Sequence, residues 1–310
     1  MRPIHTDLPA PTSGMLLAKR PTGVTMAFVA LLIAIALQSI PTIVQTYAAR
    51  AAGERTASFG FGRFDSALSL FTFGIALLWL WLWVAAKERR RFSTLGFERA
   101  GKGVRQALRG FGIGVAMIAV CVLVPVATGQ ARLEWALPDL AGWWFVALML
   151  FGFLLQGSTE EILTRGYLTQ AVARRWGLLV AVIVQAVFFT LLHGMNPGMG
   201  VVPIVNLLAF ALFASLFSLA EGSLWGICAM HGAWNWAQGN LFGVAVSGTE
   251  VQDSVLGYAA EPGSNDLLTG GAFGVEGSLV TTLVYGVGIA IAWRAFRKRR
   301  TAEGAVSRAL

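Results

Sequence analysis

Two adjacent glutamates, Glu160 and Glu161, interrupt a run that is otherwise apolar from Trp143 onward. Two of the three histidines, His193 and His231, also stand inside apolar runs, while His5 lies in the N-terminal tail. An acid placed in a bilayer-spanning run costs about 2.5 kcal/mol or more, so such residues mark function by default. Local spacing distributes the roles. Glu161 and Arg165 are four apart and can pair on a helix, which leaves Glu160, about 100° round the same helix, free to face another partner. His231 and Asn235 are four apart and present an imidazole and an amide on one face, and Phe189, four before His193, can pack beside its ring. A base, imidazoles and amide donors converging in a low-dielectric, water-accessible cavity are what activating water and stabilising an oxyanion require. Cys228, three before His231, offers a thiol alternative, but in an apolar run it reads as a buried neutral thiol.

These groups need a membrane scaffold. Of 310 residues, 56% are hydrophobic and only 13% charged, about half the charge of a soluble domain. This excludes both an ordinary water-soluble enzyme and a disordered chain. Apolar runs of bilayer-spanning length predict an all-α, polytopic bundle with about eight spans, near 24–46, 66–86, 110–128, 142–158, 177–193, 203–220, 223–241 and 278–293. The first is read as uncleaved, after a tail over 1–23. Cys121 and Cys228 act as small hydrophobes, with no disulfide framework and no zinc signature. The net charge of +8 comes from residues that flank the spans, which is membrane orientation rather than a nucleic-acid-reading surface. Lys87 to Arg109 holds eight basic residues and the tail over 294–310 holds six, so both, with the N-terminus, are expected in the cytoplasm. The Gly-rich loop over 242–277, with Glu250, Asp253, Glu261, Asp266 and Glu276 and no Lys or Arg, is expected outside. Arg50, Arg55 and Arg63 in the first loop run against this orientation.

Depth decides whether the groups can meet. A turn near Arg174 to Gly177 puts Glu160 and His193 about 16 or 17 residues away on either side, hence at equal height in a hairpin, roughly 25 Å from the turn. They are expected to be neighbours. His231, about eight residues into a later span, is expected near mid-bilayer.

Glu160-Glu161-Ile-Leu-Thr-Arg165 fits E-E-x-x-x-R, Phe189-Thr-Leu-Leu-His193 fits F-x-x-x-H, and His231-Gly-Ala-Trp-Asn235 fits H-x-x-x-N. In this order, over a core of about 143–240, the chain resembles the CAAX protease and bacteriocin-processing (CPBP, or Abi) family of intramembrane endopeptidases. These are relatives of the prenyl-protein-processing enzyme of the eukaryotic endoplasmic reticulum. The resemblance implies an eight-span fold in a bacterial plasma membrane, and hydrolysis of a membrane-associated or membrane-delivered peptide or protein, lipid-anchored in the eukaryotic case. Glu160 with His193 would activate water, His231 and Asn235 would stabilise the oxyanion, and Glu161, Arg165 and Phe189 would support them. The family is often called metalloprotease. Glu160, His193 and His231 could supply a three-ligand Zn2+ site, and a metal-free glutamate mechanism would use the same residues. Thr164 departs from the pattern, because an aromatic residue commonly precedes the arginine. A proton-coupled transporter using Glu160 and His193, or a non-catalytic immunity or scaffold protein, are the alternatives from other classes.

Overall fold

The computed structural model describes residues 4–51, 62–97 and 100–309; Arg55, Glu98 and Arg99, and the side chains of Arg50 and Arg308, lie outside the described residues. Within a bilayer the backbone must satisfy its own hydrogen bonds, which long apolar runs do by forming helices. Eight helical segments follow the eight expected spans: α1 (Val24–Ala51), α2 (Arg63–Glu88), α3 (Gly103–Ala127), α4 (Leu140–Trp176), α5 (Leu178–Leu192), α6 (Val201–Glu221), α7 (Trp225–Trp236) and α8 (Leu279–Ala309). Six of them are long and apolar enough to cross a membrane. Helix α5 is a shorter apolar helix, and α7 runs on through a π-helical turn, Ala237–Leu241.

Three features are not read from the sequence. The fourth span does not end near residue 158: α4 continues for 37 residues, about 55 Å at 1.5 Å per residue. A π-helical turn, Ile162–Leu168, follows Glu161 directly, and Thr169–Trp176 completes the helix. The polar stretch after Arg165 is therefore helical and buried from Thr169 to Ala173. The basic residues after Trp293 continue as helix in α8. The Gly-rich loop contains a strand, β2 (Leu256–Ala260), paired antiparallel with β1 (Ala131–Trp135).

Helix α7 sits between α3 and α4, and α8 packs on α6. The α4–α7 crossing is very close. A Cβ on Gly157 would lie 2.6 Å from the Gly232 nitrogen, so small residues let the two backbones touch. Gly157 is three residues before Glu160 and Gly232 is next to His231, so this contact sets the distance between acids and imidazole. Gly157→Ala should lower any hydrolytic activity by on the order of 100-fold, since about 1 Å of misplacement has that effect. Gly112→Ala on α3, where a Cβ meets nothing within 4 Å, should not. Equal rates for the two variants would show that the crossing does not position the site.

One end of the bundle gathers the basic elements. The His5 N–H donates to the Arg174 carbonyl, the Leu224 N–H to Gly96, and Arg109 pairs with Glu221. Here Glu88, expected in a loop, is fully buried and paired with Arg90 at 2.7 Å, with Thr22 donating to it. Burial is tolerable because each charge has its partner. At the other end Arg63 pairs with Asp253 at 2.8 Å and Asp139 at 3.1 Å. Of the three arginines that run against the expected orientation, Arg63 is thus neutralised by two acids.

Asp139 also caps α4, accepting from the Gly142 N–H at 2.6 Å. That bond, and next the Arg63 guanidinium, hold its carboxyl below the usual range. A depressed carboxyl contributes stability above its unfolded pKa, near 4, and loses it as pH falls through the folded value. Thermal unfolding should therefore show an acid-sensitive component that Asp139→Asn, still a cap, removes. Identical acid profiles for the two proteins would count against this pairing.

Candidate active site

Helix α4 presents its two acids to different surroundings. Glu161 is 0% exposed and its Oε1 accepts from Arg165 Nη1 at 3.0 Å and from His231 Nδ1 at 2.9 Å. A carboxylate only accepts, so His231 carries its proton on Nδ1 and turns Nε2 toward Glu160, whose Oε2 is 3.8 Å away. This is beyond hydrogen-bond reach but within an ion-pair contact. The Glu160 Oε1 accepts from Gln156 Nε2 at 2.7 Å, and its Oε2 is buried with no hydrogen-bond partner among the described residues. Gln156 Oε1 in turn accepts from Asn235 Nδ2 at 2.9 Å, which uses one of the two amide hydrogens. The sequence motifs omit Gln156, although its place four before Glu160 puts it on the same helix face.

His193 ends α5. Its Nδ1 lies 2.9 Å from the Phe189 carbonyl, so Nδ1 donates, and in the neutral ring Nε2 keeps its lone pair. Phe189 packs on His193 with ring centroids 4.6 Å apart and lies 4.5 Å from the Arg165 guanidinium. Arg165, 1% exposed, thus has an aromatic face and a carboxylate, the pairing a desolvated guanidinium needs. Phe210 of α6 packs edge-on against His231 at 4.8 Å.

Glu160, His193, His231 and Asn235 all line one cavity of about 350 Å³, with the apolar wall and few polar groups usual for a ligand site. Within this shared space the expected neighbour relation is altered. The imidazole within 4 Å of Glu160 is that of His231, and no ion-pair contact links Glu160 to His193. Equal depth in the hairpin gave height but not direction around the helix. Among the described residues, no group of three or more His, Cys, Asp or Glu lies close enough to hold a metal ion. The residues as they stand do not form the three-ligand zinc site considered above. Cys228 is buried, with its thiol toward the Ser158 carbonyl at 3.9 Å, and it does not line the cavity.

The cavity also takes residues that the sequence motifs do not reach. Ser247 and Glu276 from the Gly-rich loop, Asn206 and Phe210 from α6, and Tyr285 from α8 line it. Nothing in periodicity marks a returning loop as part of a site.

No curated protein and no solved structure matches the chain significantly. Residues 142–237, the stretch that carries all three motifs, match the family model described as type II CAAX prenyl endopeptidase Rce1-like, and for that segment the likeness to the CAAX protease family holds.

Proposed function

We propose that the chain is an intramembrane endopeptidase that hydrolyses a peptide bond of a membrane-associated substrate in this cavity, with Glu160 as general base. The observation that carries the reading is the buried, unpartnered Glu160 Oε2 beside His231 Nε2. Water bound there would give a proton to Glu160 as its oxygen attacks the scissile carbonyl carbon. The developing oxyanion would take N–H donors from His231, when Nε2 is protonated, and from the second Asn235 amide hydrogen. When the C–N bond breaks, the proton held by Glu160 would go to the leaving nitrogen. His193, whose Nε2 is free to accept in the neutral ring, serves as a second proton carrier toward the cavity. Glu161 and Arg165 act through His231: they hold its tautomer and ring direction.

Both termini are assigned to the cytoplasm and the cavity to the opposite face. The basic residues gathered at one end of the bundle, and the loop residues Ser247 and Glu250 in the cavity lining, support this assignment. The test is mass-spectrometric mapping of products from a peptide library incubated with the purified full chain in liposomes, with and without chelator. New internal cleavages supplied by the chain support the reading, and an intact library contradicts it. Cleavage that survives chelation fits the glutamate route, whereas loss restored by Zn2+ would assign a metal to the site.

A further inference from the structure

The loop side of the cavity carries a carboxylate that the hydrolytic step does not use. Glu276 Oε2 accepts from the Ser247 N–H at 2.6 Å, the Ser247 hydroxyl at 3.0 Å and Gln238 Nε2 at 3.1 Å. Three donors on one oxygen fix the group and leave Oε1 outside that cradle. Among the described residues Glu276 belongs to no ion pair; every pair found uses another acid. The cavity lining contains no Lys or Arg, and the chain has none between Trp176 and Trp293. This anchored, half-buried carboxylate has no lysine or arginine counter-charge in the cavity.

A second observation points to a ligand in the same space. Trp234, 1% exposed, lines the cavity, and its indole Nε1 is a buried donor with no acceptor. A buried indole N–H usually finds a partner, and a substrate backbone carbonyl is a fitting one. Helix α6 touches both Glu276 and the reacting groups. Asn206 donates to the Glu276 carbonyl at 2.7 Å, Phe210 is one turn further along α6, and its ring meets His231 at 4.8 Å. Glu276 and the reacting groups thus face one cavity, and the α6 positions that touch the Glu276 backbone and the His231 ring are about one helical turn apart.

We propose that Glu276 determines substrate preference by taking the ammonium or guanidinium of a lysine or arginine near the scissile bond, so that the cavity selects peptides with a basic flank and disfavours a free C-terminal carboxylate. This rests on the endopeptidase reading, so the test has one arm that needs hydrolysis and one that does not. In the first, a single arginine, norleucine or glutamate is walked through the positions flanking a mapped cleavage site. The ratio of kcat/KM for the arginine peptide over the norleucine peptide should fall on the order of tenfold in Glu276→Gln, the loss of one hydrogen bond to a charged group. Glu276→Lys should invert the preference toward glutamate. The ratio is independent of the folded fraction of each variant.

In the second arm, the same peptides are bound to the Glu160→Gln chain and followed by fluorescence anisotropy. The preference for arginine should be present there and lost when Glu276→Gln is added. Charge preference at no position, or a preference that Glu276→Gln leaves intact, overturns the proposal. A chain that binds arginine peptides through Glu276 but cleaves none would overturn the endopeptidase reading and leave the specificity assignment standing.

Discussion

Replacing Glu160 with glutamine should lower kcat for peptide cleavage by about 10²- to 10⁴-fold, the usual contribution of a positioned general base, with a much smaller change in KM. Glutamine matches the carboxylate in size and can still accept from Gln156 Nε2, which donates at 2.7 Å. The fold and cavity should therefore be kept while the proton acceptor is lost. A fall in kcat with KM retained marks a group that acts mainly in the transition state. If KM rose and kcat held, Glu160 would be a binding residue and another group would take the proton.

Glu161→Gln should fail differently, because its first effect is on stability. The Arg165 guanidinium is 1% exposed and Glu161 is its partner at 3.0 Å, and removing one member of a buried pair costs about 3–5 kcal/mol. The His231 Nδ1 hydrogen would at the same time lose its carboxylate acceptor at 2.9 Å. Changing both members, as in Glu161→Leu with Arg165→Met, should recover most of the stability, since apolar replacement of a whole buried pair is often neutral or favourable. It should not recover activity, because nothing then fixes the imidazole. Denaturant titration in detergent, with cleavage measured on the folded fraction, separates the two effects. A single variant as stable as the parent would show that the guanidinium finds another counter-charge.

Much of this arrangement is legible in the order of residues. The eight helical segments follow hydrophobic length, since a bilayer leaves an apolar run little alternative to a helix. The Glu161 and Arg165 pair follows from four-residue spacing, and the turn before α5 falls at Gly177, whose φ of +83° is a conformation glycine adopts without strain. Height is legible too, and Glu160 and His193 do line one cavity.

Azimuth is not legible, because counting residues from a turn cannot say which way a ring faces after a close crossing such as Gly157 on Gly232. That crossing brings His231, rather than His193, to Glu160. The end of α4 is not legible either, because polar and basic residues between Arg165 and Arg175 interrupt the apolar pattern. Arg165 is paired with Glu161, which permits the helix to be buried there. The β1–β2 pairing and the return of Glu276 to the cavity depend on contacts between segments distant in sequence, which local pattern does not encode. Glu276, one acid of the Gly-rich loop, also lines the cavity.

The central claim is that Glu160 and His231 act as one unit on one substrate. A double-substitution cycle tests this directly, by measuring kcat/KM for Glu160→Gln, His231→Ala and the combined variant on a mapped peptide. Groups that work together are strongly non-additive, so the combined variant should be no slower than the worse single variant within about threefold. If the two losses instead multiply in full, the carboxylate and the imidazole act independently, and the account of a shared reaction centre is wrong.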